Sequence, residues 1–139
     1  MKGLDTLIRL HRQHLDVKRV YRTTIETHRV ELEQRCHKIR QEMKDERKTA
    51  AESLEARLTL SAYAERMTEL LRALAAEMID SDVEIARLND EIAEAFQTLK
   101  SYELTRDARD RRAAQAQAKR DCSELDEIGA AQHRRRAAL

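Results

Sequence analysis

The sequence predicts an all-α fold: a long two-helix antiparallel coiled-coil hairpin whose C-terminal helix extends beyond the N-terminus. Three observations carry this. Across 139 residues there is no proline and only two glycines, Gly3 and Gly129, so the usual breakers of regular structure are missing between them. Charged residues make up 38% and aromatics 3%, which is too little bulky apolar material for a compact core of this length and suits a narrow apolar seam. From Met67 onward, seam positions recur at alternating spacings of four and three, the period of a coiled coil.

The first helix is expected over about 3–47. Its seam reads Ile8, His11, Leu15, Lys18, Arg22, Ile25, Arg29, Leu32, Cys36, Ile39 and Met43, apolar at both ends and polar in the middle. The second helix, over about 62–125, carries the stronger seam: Met67, Leu71, Leu74, Met78, Ser81, Ile85, Leu88, Ile92, Ala95, Leu99 and Tyr102. Between them the chain reverses within about 48–61. There Thr49 to Glu52 has capping-box spacing and Ser61 can cap a second start. A basic tail, frayed to residue 139, completes what reads as one coiled-coil domain over 1–139.

A reversal centred near Glu55 pairs residues whose numbers sum to 110: Met43 with Met67, Ile39 with Leu71, Cys36 with Leu74, Leu32 with Met78, Ile25 with Ile85. Charge agrees with this pairing. Residues 1–48 carry a net charge of +5, 49–104 carry −7 and 105–139 carry +3. The polar seam residues Lys18, Arg22 and Arg29 then face the region of Asp80, Asp82, Glu84, Asp90, Glu91 and Glu94. Exposed ion pairs add little stability, so their contribution is register and orientation. The same pairing sets Leu4 opposite Arg106 and leaves 107–139 as an overhang, with alanines where a seam needs leucines. An isolated helix of this kind frays in water unless a partner buries one face.

Several function classes are excluded by what the chain lacks. There is no glycine-rich phosphate loop, and a two-helix coil has no concave pocket for substrate, so a non-enzymatic protein without cofactor is expected. Cys36 and Cys122 form no CxxC motif. Cys36 and His37 are adjacent on a helix and diverge by about 100°, so no metal site is expected, and Cys36 reads as a core residue. His11 and His14 read as pore contacts or, more plainly, as solvated helix-edge side chains. The "HRRRAAL" tail is a small basic footprint without aromatics to stack on bases, so nucleic acid is not an expected partner. No apolar run is long enough for a membrane span or a secretory signal, and a cytoplasmic protein is expected.

The stretches "LDTLIRLHRQHLD" (4–16), "EIAEAFQTLKSYELTRDARDRR" (91–112) and "SELDEI" (123–128) resemble the FliJ family of flagellar export proteins, in its alphaproteobacterial branch, which is related to the YscO-type stalks of injectisomes. The resemblance implies a coiled coil similar to a rotary-ATPase shaft. Such a protein inserts into and promotes the hexameric export ATPase, contacts the export gate membrane protein, and is linked to export-chaperone traffic. It would work at the cytoplasmic face of the inner membrane and be a monomer in isolation. On this reading the two termini form the ATPase-binding end, through Leu4, Leu7, Ile8, Arg9 and Arg12 from the first helix and Arg109, Arg112, Leu125 and Ile128 from the second. Tyr63, Met67 and Leu70 either dock the export gate or close the end of the coil. The alternative function is a generic cytoplasmic coiled-coil adaptor or dimerising scaffold.

Overall fold

The computed structural model describes residues 2–139. It contains two helices, α1 (Lys2–Ala50) and α2 (Leu54–Ala138), packed against each other as an antiparallel hairpin, with no strand among the described residues. Every seam position expected from the sequence is buried or half-buried on its helix. The alternation of threes and fours therefore chose the correct face of both helices along the whole paired length.

The chain divides into two compact units, Gln13–Ala95 and Met1–Arg12 with Phe96–Leu139. In the first, Leu32, Cys36, Ile39 and Leu74 form a buried cluster, with Met43, Met67, Leu70, Leu71 and Met78 packed against it. Each residue named in the four pairs nearest the reversal belongs to this group. Three polar contacts across the helices fix the same register: Lys18 Nζ donates to Glu91 Oε2 at 2.9 Å, Arg22 Nη1 donates to Asn89 Oδ1 at 2.8 Å, and Arg29 donates to Asp82. Arg22 thus meets an amide where a carboxylate was expected. Ser81, 8% exposed, is the one buried polar residue among those described.

The reversal is tighter than the expected 48–61. Only Ala51–Ser53 separate the helices, and α2 begins at Leu54 rather than near 62. The capping groups also differ from those the sequence suggested. Thr49 Oγ1 donates back to Asp45 O at 3.1 Å within α1, while the Glu52 amide donates to Thr49 O at 3.1 Å to close the turn. Ser53 is the residue that caps α2, its Oγ accepting from the Ala56 amide at 3.4 Å, and Ser61 lies inside the helix. Arg57 then reaches back from the first turn of α2. Its Nε donates to Ala50 O at 3.3 Å and its Nη2 to Ala51 O at 3.1 Å, satisfying carbonyls that the end of α1 leaves without helical partners. Ala50 is buried beneath this contact at 3% exposure. The seam of α2 accordingly starts with Ala56, Leu60 and Tyr63, all half-buried, before Met67.

At the other end α2 stays helical to Ala138, past the expected limit near 125. No proline interrupts it, Gly129 stands in open space, and Arg135 and Arg136 in the last turn favour the negative end of the helix dipole. A helical glycine costs about 1 kcal/mol, which local propensity from the surrounding alanines offsets. In the second unit Ile8 (1% exposed) and Leu99 (6%) are the buried aliphatics. No helix among the described residues is long and apolar enough to cross a membrane.

If the aliphatic cluster sets the stability of the Gln13–Ala95 unit, Leu32→Ala should lower the unfolding free energy by about 2–5 kcal/mol. Ile25→Ala, at a half-buried position between Arg22 and Arg29, should cost clearly less. Urea denaturation of both variants measures the difference.

Candidate functional site

The residues expected at the ATPase-binding end all fall in the unit of Met1–Arg12 and Phe96–Leu139, but they do not form one surface. Ile8 is 1% exposed and spends its side chain inside its own unit, so it positions its neighbours and is not open to a partner. Leu4 and Leu7 are half-buried and divide their surface between core and solvent, while Arg9 is exposed. Arg12 is exposed yet engaged: its Nη2 and Nε donate to Glu103 Oε1 at 2.8 and 3.2 Å. Lys100 Nζ donates to Glu103 Oε2 at 3.2 Å, so one carboxylate is held by two cations. Beside them the rings of His11 and Tyr102 lie 5.0 Å apart, which gives His11 a packing role in place of a solvated one.

Along α2 the picture changes. Arg106 and Ala108 are the last half-buried positions of the paired stretch, and every residue from 109 to 130 is exposed. Arg109 and Arg112 are in this stretch, with Leu125 at 68% and Ile128 at 55% exposure. Exposed aliphatics on a helix with no intrachain cover are the feature that sets this segment apart. Leu10 (53%), Phe96 (42%) and Leu104 (64%) are further exposed apolar residues of this unit. Phe96 carries the Lys100 ammonium 5.4 Å from its ring centroid. The sequence signal that could have found them is their position off the seam phase.

Tyr63, Met67 and Leu70 lie in the Gln13–Ala95 unit and are all half-buried. Met67 and Leu70 pack against the aliphatic cluster, which explains Leu70 despite its place beside the seam rather than on it. Of the two roles open to these residues, closing the coil accounts for the surface they bury. Burial raises the Tyr63 phenol above its ordinary value, with Glu46 and Glu42 of α1 adding to the shift. Both thiols are free; Cys36 is in the core and Cys122 is exposed. No group of three or more His, Cys, Asp or Glu side chains is placed to hold a metal among the described residues.

No family model, curated protein or solved structure matches the chain.

Glu103 is held below its ordinary value of 4.5 first by the Arg12 hydrogen bond and then by Lys100; Glu91 is lowered first by Lys18, and Glu84 by Arg87. A carboxylate with a depressed folded pKa stabilises the fold above its unfolded value and loses that contribution as pH falls through the folded one. Stability should therefore decline as pH falls below about 4.5. Glu103→Gln should flatten part of that decline while leaving helicity at pH 7 unchanged, as read by thermal melts across pH 2–7.

Proposed function

We propose that the chain is a non-enzymatic stalk component of the flagellar type III protein export apparatus. In this role it inserts into and promotes the hexameric export ATPase, contacts the export gate membrane protein, and acts at the cytoplasmic face of the inner membrane. The resemblance of residues 4–16, 91–112 and 123–128 to the FliJ family supports the assignment to export. The observation that carries the mechanism is the exposed run of α2 from 109 to 130.

A helix exposed on all sides draws its stability from propensity and local side-chain contacts such as Gln117 to Asp121, and a partner that encloses it supplies the burial the chain omits. A ring lumen is such an enclosure. It would bury Leu125 and Ile128 and meet the charge along this helix, where a mainly basic stretch of Arg109, Arg111, Arg112, Lys119 and Arg120, broken by Asp110, precedes Asp121, Glu124, Asp126 and Glu127. Arg9 and the exposed parts of Leu4 and Leu7 add the α1 contribution, while Ile8 and Arg12 hold that segment in place. Association steered by charge of this kind weakens with salt.

Deleting 109–139 leaves every paired seam residue in place. The shortened chain should keep the helical signal of the hairpin by circular dichroism but lose binding to the export ATPase hexamer and stimulation of its ATP hydrolysis. Leu125→Asp with Ile128→Asp in the full chain should weaken binding at least about tenfold. A folded deletion variant that still binds the hexamer would overturn the binding end, and a full chain that never binds it would favour an adaptor role.

A further inference from the structure

Near the bend, the stretch 38–48 of α1 sorts its charges onto two flanks. Arg40, Lys44 and Arg47 follow at spacings of four and three, so they share one line along the helix, with Lys48 on its outer side. Glu42, Asp45 and Glu46 hold the opposite flank, where Lys38 is the single cation. The contacts of the two flanks agree with this division. Arg40 lines a shallow hollow with Ala75 and Ile79 of α2, whereas Glu42 and Glu46 lie near enough to Tyr63 to raise its phenol.

The cations of this line have no work inside the chain. Arg40, Lys44, Arg47 and Lys48 are exposed, and none has an ion pair or side-chain hydrogen bond among the described residues. Their neighbours differ: Arg29 is held by Asp82, and Arg57 by the carbonyls of Ala50 and Ala51. Arg47 and Lys48 favour the negative end of the α1 dipole, but Arg40 and Lys44 lie more than a turn before that end and gain nothing from it. A second observation falls at the same end of the hairpin. Leu54 (72% exposed) and Leu58 (74%), one turn apart at the start of α2, are the most exposed large aliphatics short of Leu139 among the described residues.

We propose that the bend end binds an anionic phospholipid surface, with Arg40, Lys44, Arg47 and Lys48 on the lipid phosphates and Leu54 in the headgroup layer. Long cationic side chains beside exposed leucines are the pairing that an interfacial contact uses. The line of cations has no aromatic anchor of the kind a protein partner grips, whereas mobile lipids adapt to cations at any spacing. Approach from this flank keeps Glu42, Asp45 and Glu46 turned away from the anionic surface. Four cations and one leucine make a small contact, and Glu52 and Glu55 stand close to the bend, so binding is reversible and falls with salt. The inference does not rest on the export assignment, whose residues Leu125 and Ile128 belong to the other unit.

Co-sedimentation of the full chain with vesicles tests the contact. Vesicles of mixed phosphatidylcholine and phosphatidylglycerol should bind it at low salt and release it at about 0.5 M, and pure phosphatidylcholine vesicles should not bind it. Reversing Arg40, Lys44 and Arg47 together to Glu should weaken binding at least about tenfold. Reversing Arg134, Arg135 and Arg136 to Glu changes net charge equally and should leave most of the binding in place. Circular dichroism checks that both triple variants keep their helicity. The chain has no tryptophan, so Leu54→Trp is a single reporter whose emission should move to shorter wavelength when anionic vesicles are added. Failure to bind anionic vesicles would overturn the proposal and leave the line of cations to an acidic protein. Equal loss from both reversals, or Leu54→Trp emission that stays fixed while the protein binds, would overturn it as well.

Discussion

The register of the hairpin rests on the aliphatic cluster that joins Leu32, Cys36 and Ile39 of α1 to Leu74 of α2. Burial there is nearly complete, and slippage by one heptad step would trade it for contacts with polar seam residues. Once this cluster is set, the positions of Lys18 against Glu91 and Arg29 against Asp82 follow from helix geometry. The ion pairs are consequences of the register and reinforce the antiparallel sense, because the reversed orientation would bring Lys18 and Arg29 to other partners. They do not replace apolar burial as the source of stability, since their side chains remain in contact with water.

The middle of α1 shows what such a seam costs. Arg22 Nε is buried without a hydrogen-bond acceptor, and its nearest carboxylate oxygen, on Glu26, is 3.7 Å away. A leucine at this position would pack without leaving a donor unmet. The chain instead places cations against the acidic stretch of α2. Specificity of pairing is obtained at the expense of local core.

Much of the fold was legible because coiled-coil periodicity is a one-dimensional signal. The phase that runs from Ile8 to Met43 and from Met67 to Tyr102 needed no knowledge of the third dimension, and burial follows it at every position. The reversal was less legible for a physical reason. Thr49 and Ser61 have the spacing of caps in the sequence, whereas the cap that forms is Ser53, beside a bend where Arg57 reaches the carbonyls of Ala50 and Ala51, a contact visible only after the chain has turned. The candidate binding end was legible in part. Alanine content marked the exposed run of α2, but Ile8 is assigned by the sequence both to the seam and to the binding end, and only its burial decides between them, while the cation of Arg12 carries no sign in the sequence that Glu103 engages it.

The three-residue reversal at Ala51–Ser53 also orders events in time. Contacts beside it close short loops, whereas Arg12 and Glu103 are separated by 91 positions. The entropy of bringing such distant segments together is reduced when intervening pairs have already formed. Folding is therefore expected to nucleate at the Arg57-sealed bend, gain its first large reward at the Leu32–Leu74 cluster, and zip outward. The polar seam between Lys18 and Arg29 comes next, where each added layer returns less burial than the one before it. On a nascent chain α2 emerges second, so α1 waits without the helix that buries its seam.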